Sequence, residues 1–333
     1  MQRRFIAIIL LFIAISLLIA VPVLAFTPLG ANLLDGSAQP TAIATFAPTF
    51  LPFTPTPTPK PTPVLTVRGS PPAISANEAI LEDNDTGHIL YDLNGERPQP
   101  MASTTKIMTA VIAIQTASLD MLITVHQDAV NEVSNNGGSS AQLHAGEQLT
   151  LRDLLYGLLV PSGDDAAIAI ADALGGNAQN FVHEMNLYAY RLRLFQTHYI
   201  NPDGLTYYDS NHQPIPGHYT TAYDLVRLAQ YAMSLPLFAQ IVSTQHYMIP
   251  ATATHSAHSW DNTNTLLATY PGMTGIKTGY TLEAGGCLIF SATRSGHHLI
   301  GVVLHSIPEN SRFSDSEILL NWGFDLPLEI PAV

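Results

Sequence analysis

Apolar runs alternate with polar, glycine-rich or proline-rich stretches along the chain, and this alternation predicts the secondary structure. Two short apolar runs, 79–83 and 88–93, flank residues 84–87 (Asn-Asp-Thr-Gly) and predict a β-hairpin. The apolar run that begins at Ile107 predicts a buried helix. Further helices are expected at 149–159, 165–174, 178–194 and 222–233. Thr220 or Thr221 is a candidate cap for the last of these, and Pro236 is expected to close it.

The C-terminal third has a different texture. Short β-rich runs at 273–281, 287–293 and 298–305 precede a closing helix at 312–324. Strands are therefore expected at both ends of the folded region, with a strand-poor centre. This pattern predicts an α/β fold in which one sheet is assembled from both termini and a helical region is inserted between them.

The N-terminus predicts export. Met1-Gln-Arg-Arg4 is positively charged, and the following 5–25 segment carries no charge. That segment is long enough to span a bilayer, yet Val23-Leu-Ala25 resembles a signal-peptidase site, so residues 1–25 are either a cleaved signal peptide or a membrane anchor. In both cases the basic end stays inside and the remainder is extracytoplasmic.

Residues 26–72 are rich in proline and threonine, and Thr54–Pro63 is a nearly regular Thr-Pro repeat. Such a segment forms extended polyproline II and buries no core, so it is predicted to be a stalk. A stiff stalk suits a protein that remains attached, which favours the anchor over the cleaved signal. The folded domain is expected to span 73–333.

Composition removes several function classes. The 333-residue chain has a formal net charge of −13 and no basic stripe, which argues against a nucleic-acid partner. Its one cysteine, Cys287, lies in an apolar run and is expected to be a core thiol. His255-x-x-His258 lacks the further ligands of a metal site, and residues 83–94 lack the spacing of a calcium loop. Neither a metal nor an organic cofactor is predicted.

Ser103 and Lys106 form the first piece of candidate chemistry. Residues at i and i+3 share a helical face, so the hydroxyl and the amine should be neighbours at the start of the buried helix. A neutral lysine can take the proton of an adjacent serine and make it a nucleophile. Lysine is scarce here: only Lys106 and Lys277 lie in the predicted domain, which favours roles for them that arginine cannot fill.

Two further motifs complete the set. Ser162-Gly-Asp164 follows Pro161 on a predicted loop, and Lys277-Thr-Gly279 lies in a predicted strand. In isolation, Ser162 could equally be an ordinary helix N-cap. Glycine at position 279 permits the close approach of another backbone, as a substrate strand would require. Ser-x-x-Lys, Ser-x-Asx and Lys-Thr-Gly in this order are typical of penicillin-binding proteins and class A β-lactamases.

With these motifs, residues 73–324 resemble the serine D-alanyl-D-alanine carboxypeptidases, the low-molecular-mass penicillin-binding proteins. The resemblance extends through several further segments of the sequence: Asp85-Thr-Gly87, Ala102–Ala110, Leu143-x-x-Gly-Glu147, Leu154–Leu158, Asn201–Leu205 and Gly275–Thr281. It implies a β-lactamase/transpeptidase-like sandwich, in which helices flank an antiparallel sheet and a helical subdomain lies beside it.

The resemblance also implies the chemistry. Ser103 would attack the D-Ala–D-Ala carbonyl of a peptidoglycan stem peptide, with Lys106 as base and Ser162 as proton relay. Lys277 and Thr278 would hold the terminal carboxylate beside Gly279, and the backbone N–H groups of Ser103 and Tyr280 would form the oxyanion hole. β-Lactam antibiotics would acylate the same serine.

Three alternatives remain open. An endopeptidase acting on cross-links would use the same residues. A class A β-lactamase would need a Glu-x-x-Leu-Asn motif, for which Glu184 in Glu-Met-Asn-Leu-Tyr188 is a near miss on a predicted helix. An inactive wall-binding homologue would not need all four of Ser103, Lys106, Ser162 and Lys277.

Asp164 departs from the asparagine that is commonest in the family. A carboxylate there should favour the ammonium form of Lys106, unless it pairs mainly with Lys277 or points to solvent.

Overall fold

A computed structural model describes residues 63–330. The predicted signal or anchor segment (1–25), the stalk as far as residue 62, and the last three residues lie outside the described residues. Among the described helices, none is by itself long and apolar enough to cross a membrane; one bent pair, Ala222–Met233 with Pro236–Val242, meets that requirement only jointly, by length and composition.

Strands occupy both ends of the described chain. They are β1 (Val64–Leu65), β2 (Glu78–Asp83), β3 (His88–Leu93), β4 (Leu122–Thr124), β5 (Gln148–Thr150), β6 (His246–Ile249), β7 (His258–Asp261), β8 (Met273–Thr281), β9 (Gly285–Arg294), β10 (His297–Ser306) and β11 (Leu328–Glu329). Five of them form one antiparallel sheet in the order β3-β2-β10-β9-β8. The prediction of a single sheet built from both termini is confirmed.

Helices fill the centre of the chain. They are α1 (Lys106–Thr116), α2 (Gln127–Asn136), α3 (Leu151–Leu159), α4 (Asp164–Gly175), α5 (Ala178–Arg191), α6 (Ala222–Met233), α7 (Pro236–Val242), α8 (Leu266–Thr269) and α9 (Ser311–Phe324). A 3₁₀ turn, Ala102–Thr105, leads directly into α1. The sequence-based helices match α1, α3, α4, α5, α6 and α9 to within a few residues.

Both faces of the sheet are covered, because alternate residues of a strand point to opposite sides. In β10, Ile300 and Val302 belong to the core cluster that includes α1, α3, α4 and α6. Leu299 and Val303 belong to a second cluster, with Leu319 of α9. The sheet is therefore the middle layer of a sandwich, and its inner strands β2, β9 and β10 are buried along most of their length.

Helix α1 is the centre of the larger cluster. Its residues from Lys106 to Ala113 are all buried. It packs against α3, α4, α5, α6 and α7. A helix that is surrounded on all sides has no polar face, which is why its sequence from Ile107 to Ile114 is apolar except for Thr109 and shows no amphipathic pattern.

The boundary predicted at Pro236 is wrong in one respect. Thr221 does cap α6, since its side chain accepts a hydrogen bond from the Asp224 N–H. However, α6 ends at Met233, and Pro236 opens the next helix rather than closing this one. Proline is well suited to the first turn of a helix, where its missing N–H has no intrahelical partner to lose.

Asp315 of α9 joins the two ends of the sheet-forming region. Its buried carboxylate accepts hydrogen bonds of 2.8 Å from the N–H and the hydroxyl of Ser75, and one of 2.8 Å from the hydroxyl of Ser306 at the end of β10. The segment that enters β2 is thereby attached to the helix that closes the domain.

We expect Asp315→Ala to lower the free energy of unfolding by about 3 kcal/mol, because it leaves a backbone N–H and two hydroxyls without their acceptor. Chemical denaturation of the two proteins measures the difference. Asp315→Asn, which keeps one acceptor oxygen, is the matched control and should lose clearly less. An alanine variant within about 1 kcal/mol of the parent would show that this junction contributes little.

Candidate active site

Ser103 and Lys106 lie where the 3₁₀ turn enters α1. The Lys106 Nζ donates a hydrogen bond of 2.8 Å to the Ser103 Oγ, so the predicted proximity of the two side chains is confirmed. Lys106 itself is fully buried, whereas Ser103 is partly exposed. A buried amine in contact with an accessible hydroxyl is the geometry that a serine nucleophile and its base require.

The remaining donors of Lys106 are also satisfied. Its Nζ donates to the Asp164 Oδ1 at 2.5 Å and to the backbone carbonyl oxygen of Asp203 at 2.7 Å. A lysine ammonium has three N–H donors, and three oxygens surround this one. The amine is therefore held in one place by groups from three separate segments of the chain.

Asp164 does not lie on the loop as predicted: it is the first residue of α4. It is fully buried and forms its ion pair with Lys106, so it neither pairs with Lys277 nor faces solvent. Burial raises the pKa of Asp164, an effect that the charge and hydrogen bond of Lys106 oppose. Pairing with Lys277 or exposure to solvent would have left Lys106 free of the Asp164 charge, and neither occurs.

Ser162 lies on the loop before α4 and is buried, with a backbone φ of +70°. The alternative that Ser162 is an ordinary N-cap is wrong, because Gly163 occupies that position and no side chain caps the helix. The start of α4 is attached to the segment at 140–141 through Asp165, whose carboxylate accepts from the Ala141 N–H at 2.8 Å and the Ser140 hydroxyl at 2.7 Å.

Lys277, Thr278, Gly279 and Tyr280 lie on β8, which is the edge of the five-stranded sheet. Lys277 is buried, and desolvation, reinforced by the charge of Lys106, lowers its pKa well below the ordinary value. Within residues 63–330 it forms no salt bridge. The Thr278 hydroxyl pairs with that of Thr263 at 2.6 Å.

Gly279 brings β8 against the turn that carries the serine. A Cβ at this position would lie 3.1 Å from the Ser103 backbone nitrogen and 3.2 Å from the Met101 carbonyl oxygen. The backbone that approaches this glycine is thus the protein's own turn around Ser103. Arg312 of α9 donates from behind to the Gly279 carbonyl at 3.3 Å.

Two site residues escape sequence reasoning. The turn at Asn201–Leu205 is confirmed as a turn, since the Asn201 side chain bonds both the Gly204 N–H and the Leu205 carbonyl. It also supplies the Asp203 carbonyl that accepts a hydrogen bond from Lys106. This contact could not be predicted from the residue types, because it uses a backbone group. Burial raises the pKa of the Asp203 carboxyl to about 8, with Asp164 adding to the effect. Arg312 gives no signal either, because it belongs to a helix remote in sequence.

Known proteins are similar to this chain over most of its described residues. The family model for D-alanyl-D-alanine carboxypeptidase matches residues 66–307. A D-alanyl-D-alanine carboxypeptidase of Streptomyces sp. strain K15 is 38% identical over 267 residues, which cover 77% of this chain and 89% of that protein. This chain belongs to the D-alanyl-D-alanine carboxypeptidase family.

Other members of the family are similar over the same region. The carboxypeptidase DacF of Bacillus subtilis is 33% identical over 260 residues, and this chain covers 64% of its length. A D-alanyl-D-alanine endopeptidase of Pseudomonas aeruginosa is 30% identical over 251 residues. The crystal structure of the Streptomyces K15 DD-transpeptidase superimposes with a TM-score of 0.71 at 37% identity, covering 78% of this chain and all of that one.

The predicted fold class, an antiparallel sheet flanked by helices, is therefore confirmed both by the coordinates and by these relatives. Within the described part of the chain no three His, Cys, Asp or Glu side chains are grouped to hold a metal ion. Cys287 is fully buried, and desolvation raises the pKa of its thiol to about 11, which confirms it as a core residue. Glu184 lies on α5 with an exposed side chain, outside the site.

Proposed function

We propose that this protein is a serine-type D-alanyl-D-alanine carboxypeptidase that removes the terminal D-alanine from peptidoglycan stem pentapeptides. The observation that carries the proposal is the 2.8 Å contact between the buried Lys106 amine and the accessible Ser103 hydroxyl. An endopeptidase activity on cross-links is the second candidate, favoured by the relative of that name; it differs only in its leaving group.

In the first step, the Ser103 Oγ attacks the carbonyl carbon of the penultimate D-alanine and its proton passes to Lys106. The tetrahedral oxyanion is stabilised by the backbone N–H groups of Ser103 and Tyr280. The C–N bond then breaks, and D-alanine leaves after its nitrogen receives a proton from Lys106 through Ser162. Water hydrolyses the resulting ester and regenerates the Ser103 hydroxyl.

Substrate binding is assigned to β8. The strand has a protein partner, β9, on one side only, so an extended peptide can add to its open edge beside Gly279. Lys277, supported by Thr278, binds the terminal carboxylate. Burial without a salt bridge disfavours the ammonium of Lys277, and an incoming carboxylate restores a counter-charge, which gives the anion a strong preference for this position.

Asp164 sets the protonation of the base. It is placed to take a proton from Lys106 along their 2.5 Å hydrogen bond, and its pKa is raised by burial. When it is ionised, its charge holds the ammonium form of Lys106 and opposes proton transfer from Ser103. Asp164 and Lys106 are both buried, so the charge of one has a strong effect on the protonation of the other.

We expect the protein to release free D-alanine from a muramyl pentapeptide and to acquire a penicilloyl adduct on Ser103 when exposed to benzylpenicillin, with slow or no turnover of the drug. Release is measured by a D-alanine assay and the adduct by mass spectrometry. Ser103→Ala should abolish both, whereas Ser134→Ala, which alters an exposed serine on α2, should change neither. An adduct elsewhere would remove the central assignment, and rapid β-lactam turnover without D-alanine release would favour a β-lactamase.

We expect Asp164→Asn to acylate with benzylpenicillin at an equal or higher rate, with the rise of the rate that accompanies deprotonation of Lys106 displaced to lower pH. Replacing the carboxylate by a neutral amide removes the charge that holds the proton on Lys106. The measurement is the second-order acylation rate as a function of pH. Asp172→Asn, farther along α4, should keep the parent profile. A loss of tenfold or more, about 1.4 kcal/mol of barrier, would show that the carboxylate is required.

We further propose that the protein is extracytoplasmic and that residues 1–25 hold it at the cytoplasmic membrane, with the proline- and threonine-rich segment that follows as a stalk. The boundary predicted between a stalk at 26–72 and a catalytic domain at 73–333 is too late in the sequence, because β1 (Val64–Leu65) pairs with β11 and Leu65 is buried in the second core cluster. The uncharged 5–25 segment and the Thr-Pro repeat support the membrane attachment. In its native bacterial host, the protein should fractionate with membranes, and its intact mass should include the N-terminal segment. A released protein whose N-terminal sequence begins at Phe26 would instead demonstrate a cleaved signal.

A further inference from the structure

The backbone immediately before Ser103 is held in an unfavourable conformation. Ala102 has a φ of +47°, in the left-handed region that costs a non-glycine residue about 1–2 kcal/mol. Such strain persists only where the surroundings over-determine it, and it is concentrated at functional positions. The contacts that impose it therefore affect the geometry of the nucleophile turn, the 3₁₀ turn at Ala102–Thr105 that carries Ser103.

These contacts are made to the carbonyl group of Ala102. Its oxygen accepts a hydrogen bond of 2.8 Å from the Thr105 hydroxyl. Gly204 packs so closely on it that a Cβ there would lie 1.9 Å from the same oxygen. A peptide unit is planar, so the direction of the Ala102 carbonyl also determines the direction of the Ser103 N–H.

His218 lies at the other end of this contact. One of its ring nitrogens, Nε2, is 2.7 Å from the Thr105 Oγ1, and the other, Nδ1, accepts a hydrogen bond of 3.2 Å from the Ile200 N–H. A carbonyl oxygen can only accept, so Thr105 must donate to Ala102 and must accept from His218. The chain of bonds from Ile200 through His218 and Thr105 to Ala102 thus has a single possible direction.

The His218 ring must be neutral for this series of hydrogen bonds to form, because its Nδ1 acts as an acceptor. Desolvation, helped by the charges of His198 and Lys106, lowers the pKa of His218 to about 3. The Tyr199 ring packs edge-on at 6.0 Å and adds no charge. One tautomer of His218 is therefore maintained throughout the neutral range.

We propose that His218 is a positioning residue which, through Thr105, fixes the Ala102–Ser103 peptide plane and so directs the Ser103 N–H at the oxyanion of the acylation step. The proposal rests on the nucleophilic role of Ser103. It assigns a function to a histidine whose side-chain hydrogen bonds go to Thr105 and to the Ile200 N–H. It also accounts for the glycine at 204, where any side chain would displace the carbonyl.

The test separates binding from acylation. Pre-steady-state kinetics with benzylpenicillin, carried to saturation, yield the dissociation constant of the initial complex and the first-order acylation rate constant. We expect His218→Leu and Thr105→Val each to lower the rate constant by about tenfold or more, but by no more than the 10²–10³ that outright loss of an oxyanion donor costs. The dissociation constant should change by less than about threefold, since direct carboxylate contacts are retained.

Three comparisons distinguish positioning from general damage. His218→Gln keeps a neutral N–H donor and should recover most of the rate. The double variant should be no slower than Thr105→Val alone, because both changes break the same chain of bonds. Thr104→Val is the matched control: its hydroxyl bonds the Met101 carbonyl at 2.7 Å, on a different peptide unit, and its loss should change the rate by less than about threefold.

Two results would overturn the proposal: unchanged acylation in His218→Leu, or losses in the two single variants that multiply in the double variant without rescue by glutamine. Thermal unfolding of each variant identifies any that fails to fold, and Thr105→Val with His218→Gln then carries the test. Failure of the parent protein to acylate at Ser103 would refute the proposed function instead, so the two failures are distinguishable.

Discussion

The burial of the Lys106 amine is the constraint on which the rest of the site depends. An amine removed from water must have its hydrogen bonds replaced, and here the Ser103 hydroxyl, the Asp164 carboxylate and the Asp203 carbonyl replace them. These three acceptors come from the 3₁₀ turn, the start of α4 and the turn at Asn201–Leu205. Satisfying one nitrogen therefore brings together three segments that are far apart in sequence.

The glycines around the site follow from the same convergence. Gly138 lies against Asp164, where a Cβ would meet the Oδ2 at 2.2 Å, and Gly204 lies against the Ala102 carbonyl. Gly279 allows the edge strand to reach the nucleophile turn. At each position a backbone occupies space that a side chain would otherwise take, so the segments can approach the buried lysine closely enough to bond.

The site contains a small number of ionisable side chains, and they are buried in the protein interior. Lys106, Lys277, Asp164 and Asp203 are all buried, and desolvation moves the pKa values of the last three towards their neutral forms. In such surroundings, the position of one proton on Lys106 or Asp164 strongly affects the charge that both groups present to Ser103.

The sequence by itself determined the five strands of the main sheet, six of the helices and the motifs, but not α2, α7, α8 or the short strands outside that sheet. Local patterns can be read directly from a sequence. They include the apolar run of α1, the hairpin around Gly87, the strands at both ends and the three motifs. The start of α4 at Asp164, the pairing of that aspartate with Lys106, the Asp203 carbonyl and the contact from His218 to Thr105 were decided only by the tertiary structure. The three contacts depend on which distant segment lies opposite, and a local pattern does not contain that information. The Asp203 contact also uses a backbone carbonyl, a group that every residue carries.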